Sequence, residues 1–312
     1  MILVFVSTTL FLIVQYHFDP LMNNVDRWSA ISYPLRNLFN GEYPYLAKTH
    51  LGGYASPFPI WMVLHIPFYI LGNVGLSEIF STIIFIYSVK ILGGNRAGIY
   101  ATLLLIMSVN IWYEVSVRSD LISNFLLLSA FINILIAKDI NFSNQPVLLA
   151  VIAGLWMSTR LTCIYPLFIL FFPSWINLSF VKKIITPLIA LSVFSLTFLP
   201  LVIWDSSPLL FSQYSPFVLQ SRFGHIEDGI IIMIITAATA YYLNKFYSKY
   251  HLICLSGISV CSLALISFCH NMWIENSWTE IFNSRYDITY FNAALPFVIT
   301  YASLYHHTRL SR

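Results

Sequence analysis

The chain is predicted to be an all-α polytopic membrane helical bundle, and three observations predict it. Hydrophobic residues make up 58% of 312 and charged residues only 9%. Mean hydropathy is +0.75. The apolar residues fall into successive runs, most of them of helix length, separated by short polar stretches. A water-facing surface needs more charge than this. In lipid each backbone polar group must be satisfied within the protein, which a helix does by itself. No hydrophilic stretch is long enough for a separate soluble domain, so residues 1–312 are read as one membrane domain. No nucleic-acid partner is expected.

Taken in order, residues 1–18 are apolar but lack the basic n-region and small-residue cleavage site of a signal peptide, and are read as a retained anchor. Residues 19–72 form a long first loop with juxtamembrane helices. Its polar part, of about forty residues, exceeds the usual connection, and such loops are functional or disordered. Trp28, Tyr33, Phe39, Tyr43, Tyr45 and Tyr54 argue for a folded cap at the membrane surface. The apolar run 58–72 carries His65 and Pro67 and, at about fourteen residues, is short for a span; segments of that length are more often re-entrant or interfacial. Runs at 79–92 and 97–113 flank a tight turn, Gly93-Gly94-Asn95-Arg96, and a further run covers 121–137. The run 147–173 is broken by Ser158-Thr159-Arg160. An arginine at mid-bilayer is costly, so two short helices meeting at Arg160 are expected. Runs at 184–203, 228–243, 251–269 and 291–305 complete about ten spans, with no internal repeat.

Charge arbitrates the topology. With 58–72 at the outer surface and 147–173 a helical pair, Lys90, Arg96, Lys138, Lys182, Lys183, Lys245, Lys249, Arg309 and Arg312 all face the cytoplasm, as the positive-inside rule requires. Making 58–72 a span reverses everything downstream. The same arrangement puts every acidic residue except Asp139 on the outer side, together with Arg27, Arg36, Lys48, Arg118, Arg160, Arg222 and Arg285. Those outer arginines run against the charge rule. The protein is expected in the bacterial inner (plasma) membrane, with its polar chemistry on the extracytoplasmic face. The sequons at Asn141 and Asn177 fall on the cytoplasmic side and do not indicate a eukaryotic lumen. Cys163, Cys254, Cys261 and Cys269 lie in apolar segments without metal spacing and read as small buried hydrophobes.

Several constellations on the outer side carry chemistry or have a plainer reading. Asp26, in Asn24-Val25-Asp26-Arg27-Trp28, is either a solvated carboxylate or a general base at the bilayer surface. Asp19, before Pro20, reads as a helix terminator. In Trp112 to Asp120, Ser119 or Asp120 caps the next helix, while Glu114 and Asp120 can supply a second acid. Arg160 is a snorkelling arginine or a phosphate contact, since a guanidinium fits phosphate bidentately. Arg118, Arg222 and Arg285 are further anion contacts or solvated loop residues, and Lys48, His50 and Tyr286 join them as substrate-binding candidates. Trp28, Trp204, Trp273 and Trp278 are interfacial anchors or sugar-stacking platforms. Gly-rich phosphate loops, HExxH and nucleophile elbows are absent from the sequence.

The order of these features resembles the GT-C superfamily of membrane glycosyltransferases, which includes protein O-mannosyltransferases and aminoarabinose transferases. Asp26 follows the first helix; then come Gly41-Glu42-Tyr43-Pro44-Tyr45 and a proline-led segment from Ser56-Pro57-Phe58-Pro59-Ile60 to Leu71-Gly72. The basic turn Lys90 to Arg96, Arg118-Ser119-Asp120, Thr159-Arg160 and Arg285-Tyr286 complete the series. The resemblance implies an inverting enzyme that takes a sugar from a polyprenyl-phosphate donor to a glycan, lipid or protein acceptor. It implies Asp26 as base, or as ligand, with Asp120, to a divalent cation (Mg or Mn) if one is used. Two departures stand out: Arg27 occupies the position where many members have a second acid, and the chain lacks the C-terminal soluble domain of some. A transporter or flippase for a lipid-linked or anionic solute is the competing reading, although transporters usually show repeats.

Overall fold

The computed structural model describes residues 2–22, 24–222, 224–275 and 288–310. Among the described residues thirteen α-helices run in order: α1 Ile2–His17, α2 Ser29–Phe39, α3 Pro59–Ile70, α4 Leu76–Met107, α5 Val109–Ser116, α6 Asp120–Ala137, α7 Pro146–Met157, α8 Ile164–Trp175, α9 Phe180–Trp204, α10 Pro216–Ser221, α11 Ile226–Phe246, α12 Tyr250–Glu275 and α13 Leu295–Leu310. Among the described residues there is no β-strand, only an isolated bridge between Lys48 and Tyr54.

Helix α4 is two helices. Gly94 has φ 81° and ψ −178°, a backbone state almost reserved for glycine. Beyond it the chain folds back, so closely that a Cβ on Gly98 would lie 3.1 Å from the Lys90 Cβ. The Gly-Gly-Asn-Arg turn expected between two apolar runs is thus a hairpin tip. The run 147–173 divides as its arginine demands: α7 stops at Met157, Arg160 is extended (φ −150°, ψ 139°), and a 3-10 turn at Leu161–Cys163 leads into α8.

The backbone groups freed by this break are satisfied by α3. The Phe58 and Ile60 N–H groups donate to the carbonyls of Thr159 (3.3 Å) and Ser158 (3.1 Å). A helix N-terminus has spare donors and a helix C-terminus spare acceptors, and here each supplies the other. The proline-led segment is therefore docked beside the α7–α8 break.

Helix α6 is the central element, 72% buried, and its small polar residues hold neighbours in place. Asn133 Nδ2 donates to Ser88 Oγ (3.1 Å) and Thr300 Oγ1 (3.3 Å), tying α6 to α4 and α13. Helices α9 and α11 turn apolar side chains outward, with Leu196 60% and Ile234 64% exposed, a surface suited to lipid and not to water.

Five helical stretches among the described residues are long and apolar enough to cross a membrane: Leu76–Met107, Asp120–Ala137, Phe180–Trp204, Ser207–Phe246 and Tyr250–Ile274. This is fewer than the ten expected. The α4 hairpin merges two apolar runs into one, the 147–173 run yields two short helices, and α1 and α13 have 16 residues each.

The bundle has two unlike ends. At one, Lys249 pairs with Asp139 and Phe142 N–H bonds Ser174 Oγ at 3.2 Å. At the other lie the first loop, the start of α6 and the α7–α8 break. Replacing Gly94 by valine should destabilise the protein by roughly 1–3 kcal/mol, because only the backbone conformation resists it. Thermal unfolding in detergent checks this, and an unchanged midpoint would contradict the hairpin geometry.

Candidate functional site at the acid-bearing end

Two buried ion pairs organise this end, on either side of the Ser119–Asp120 step. Arg27 Nη1 pairs with Glu114 Oε2 at 2.5 Å, with side chains 8% and 0% exposed. The same guanidinium donates to Ser119 Oγ at 2.8 Å and to Thr289 Oγ1. Glu114 Oε1 accepts from Asn292 Nδ2 at 2.5 Å. Ser119 Oγ also accepts from Ile122 N–H at 3.3 Å, so Ser119 is the N-cap of α6 and leaves the Asp120 carboxylate available for other partners.

Asp120 forms the second pair. Its Oδ2 accepts from Arg160 Nη2 and, at 3.1 Å, from Trp61 Nε1 on α3. The break that takes Arg160 out of the helix and the docking of α3 on that break therefore deliver both donors to one oxygen. One turn further along α6, Asn124 Oδ1 accepts from Cys163 Sγ at 3.0 Å. Gln220 bridges outward, accepting from Leu161 N–H (2.8 Å) and donating to the Ser56 carbonyl (2.8 Å).

Asp26 is half-buried. Its carboxylate lies beside Gly53 and Thr49: a Cβ on Gly53 would be 3.3 Å from Asp26 Oδ2 and 3.4 Å from Thr49 Oγ1. No hydrogen bond to that carboxylate is made among the described residues, in contrast to Glu114 and Asp120. Ser29 Oγ, one turn on, contacts His50 Nδ1 at 2.8 Å. Tyr54, next to Gly53, stacks on Tyr214 with ring centres 4.6 Å apart, and Lys48 Nζ sits 5.9 Å from the Tyr54 ring. The carboxylate thus adjoins an aromatic, cation-flanked surface.

The first loop is pinned by its own motif. Gly41, in the left-handed region at φ 76°, ends α2 with Glu42 N–H bonding the Asn37 carbonyl at 2.8 Å. Tyr45 OH donates to the Pro57 carbonyl (2.9 Å) and Tyr43 OH to the Leu201 carbonyl (3.4 Å). Burial, with Asp205 nearby, pushes the Tyr43 phenol up to about 12, and burial raises Tyr45 well above its ordinary value. Both hydroxyls stay neutral donors at any physiological pH.

Other expected residues lie apart from the buried pairs. Arg118, at φ 51°, clamps the end of α1 by donating to the carbonyls of Gln15 (2.5 Å) and Phe18 (3.3 Å). A groove of 380 Å³ opens there between α1, Trp28 and Arg118. Arg222 is exposed just beyond α10. Arg285, Tyr286 and Trp278 lie outside the described residues. Trp61, His65 and Asn124 were not expected at the site. A Trp and a His four residues apart on one helix face was the signal available for the first two.

Among the described residues no group of three or more His, Cys, Asp or Glu side chains gathers as a metal-holding set. Asp120 Oδ2 is already engaged by a cation and an indole N–H. That donor set does not fit a resident divalent ion, and no chemical step is derived through one.

Comparison with protein-family models, with curated proteins and with solved structures gave no match to this chain.

Removing one partner of a buried pair strands the other charge, at a cost of about 3–5 kcal/mol, whereas an apolar replacement of both is often near neutral. Arg160→Met and Asp120→Leu should each be strongly destabilising and the double variant much less so. A double-mutant cycle on detergent unfolding reads this directly; additive losses would mean the pair does not form.

Proposed function

We propose that this chain is a membrane glycosyltransferase of the GT-C type, working on the extracytoplasmic face of a bacterial inner membrane. One observation carries the reading: of the three site acids, Glu114 and Asp120 are bound by arginines while the Asp26 carboxylate makes no hydrogen bond among the described residues. Asp26 is held close to that polar centre because its neighbour Arg27 is bound to Glu114 and Ser119. Structural acids are neutralised; a base must keep its lone pair for a substrate proton. The ten-span topology, with both termini cytoplasmic, belongs to the same proposal, and the two unlike ends of the bundle support it.

In this scheme the prenyl tail of the donor lies in the bilayer and its phosphate approaches Arg160. The acceptor hydroxyl gives its proton to Asp26 as its oxygen bonds to the anomeric carbon, from the face opposite the phosphate. The anomeric C–O bond breaks, the electron pair leaves on the polyprenyl phosphate, and configuration inverts. A guanidinium fixed by Asp120 stabilises charge developing on the leaving phosphate without reorganising.

Purified protein in liposomes with a labelled polyprenyl-phosphate sugar and candidate acceptors tests the reading. Asp26→Asn should reduce transfer by roughly 10²–10⁴, the usual contribution of a general base, and leave the unfolding midpoint unchanged. Carrier that crosses the bilayer with its glycosidic bond intact would show a flippase instead. Full turnover by Asp26→Asn would remove Asp26 as base.

A further inference from the structure

We propose that His65, with the Arg160 Nε–H and the Asn124 side-chain amide, forms a subsite that binds a hydroxyl of the donor sugar. The proposal rests on the glycosyltransferase reading and adds to it a specificity-determining residue, His65, which that reading does not use.

The geometry begins with a tautomer. His65 Nδ1 lies 2.8 Å from the Trp61 carbonyl. A carbonyl cannot donate, so Nδ1 carries the hydrogen, and in the neutral ring Nε2 carries a lone pair. Burial holds the imidazole below its ordinary pKa, favouring that neutral form. His65 is 1% exposed, and its Nε2 has no hydrogen-bond partner among the described residues. The ring also packs against Trp61, 4.5 Å between centres, the same indole that donates to Asp120.

Two donors around the Asp120–Arg160 pair are unpartnered in the same way. Arg160 is 8% exposed and its Nε–H makes no hydrogen bond, although Nη2 binds Asp120. Asn124 is fully buried, with Oδ1 occupied by Cys163 and Nδ2 unpartnered. Each orphaned buried polar atom costs about 1–3 kcal/mol, and native proteins leave few of them. Eight such atoms occur among the described residues, and three of them belong to the group formed by Asp120, Arg160, Trp61 and the side chains packed one turn on from these.

The pattern of donors and acceptors selects its chemistry. A phosphate oxygen can take hydrogens from Arg160 and Asn124 but has none to give His65 at neutral pH. A hydroxyl both gives one hydrogen and accepts others, so it satisfies all three side chains. Because Arg160 is also the arginine assigned to the donor phosphate, that hydroxyl belongs to the sugar carried on the phosphate, not to the acceptor.

The test measures binding of short-chain polyprenyl-phosphate sugars, without acceptor, to purified protein in detergent. The sugars are a panel of hexoses and pentoses with their single-deoxy analogues. For the preferred sugar, one deoxy analogue should bind wild type at least tenfold more weakly, about 1.4 kcal/mol. His65→Phe should weaken the parent sugar by a similar factor and leave that analogue unchanged, whereas His65→Gln, which keeps an acceptor, should retain part of the discrimination. Asn124→Leu serves as a second variant if His65→Phe does not fold. Equal discrimination by wild type and variants across all analogues would overturn the subsite while leaving the transferase reading intact. Failure of wild type to bind any polyprenyl-phosphate sugar would overturn both.

Discussion

A guanidinium and a carboxylate removed from water depend on one another, and the Arg160–Asp120 pair imposes that dependence on a large part of this molecule. A lone arginine in an apolar run would break the run or be dragged to the interface. Here the run breaks, Arg160 becomes extended, and its charge is met by the first residue of α6. The break releases the carbonyls of Ser158 and Thr159, and the N-terminus of α3 docks to receive them. Docking brings Trp61 to Asp120 and His65 alongside. One buried charge thereby fixes where one helix, α7, stops and where two others, α8 and α3, have their N-termini.

The second pair does the same for the first loop. Arg27 reaches Glu114, Ser119 and Thr289, so the residue after Asp26 is bound to the end of α5, to the α6 cap and to the chain preceding α13. Arg27 therefore has a structural task, and the acid it answers, Glu114, lies 87 positions away in the chain.

Several sequence features are legible because their physics is local. Gly94 requires a conformation that only glycine adopts readily, and Gly41 ends α2 in the left-handed region. Pro59 opens α3, where its missing N–H costs nothing. Arg160 splits 147–173 because a charge in lipid must find a partner or leave. Arg118 was legible only as a cation; that it clamps carbonyls at the end of α1 depends on that helix, about a hundred residues earlier in the chain, packing beside it.

The sequence by itself determined the apolar, all-helical class of the protein and the positions where its apolar runs break. These follow from transfer free energies and backbone stereochemistry, which act residue by residue. Only the tertiary structure decided which acid answers which arginine, that Trp61 bonds Asp120 with His65 packed against it, and that Asp26, of the three candidate acids, has no bound cation among the described residues. The two ion pairs join residues 40 and 87 positions apart, and they are selected by which helices pack together. No property of either residue's own neighbourhood in the chain specifies them.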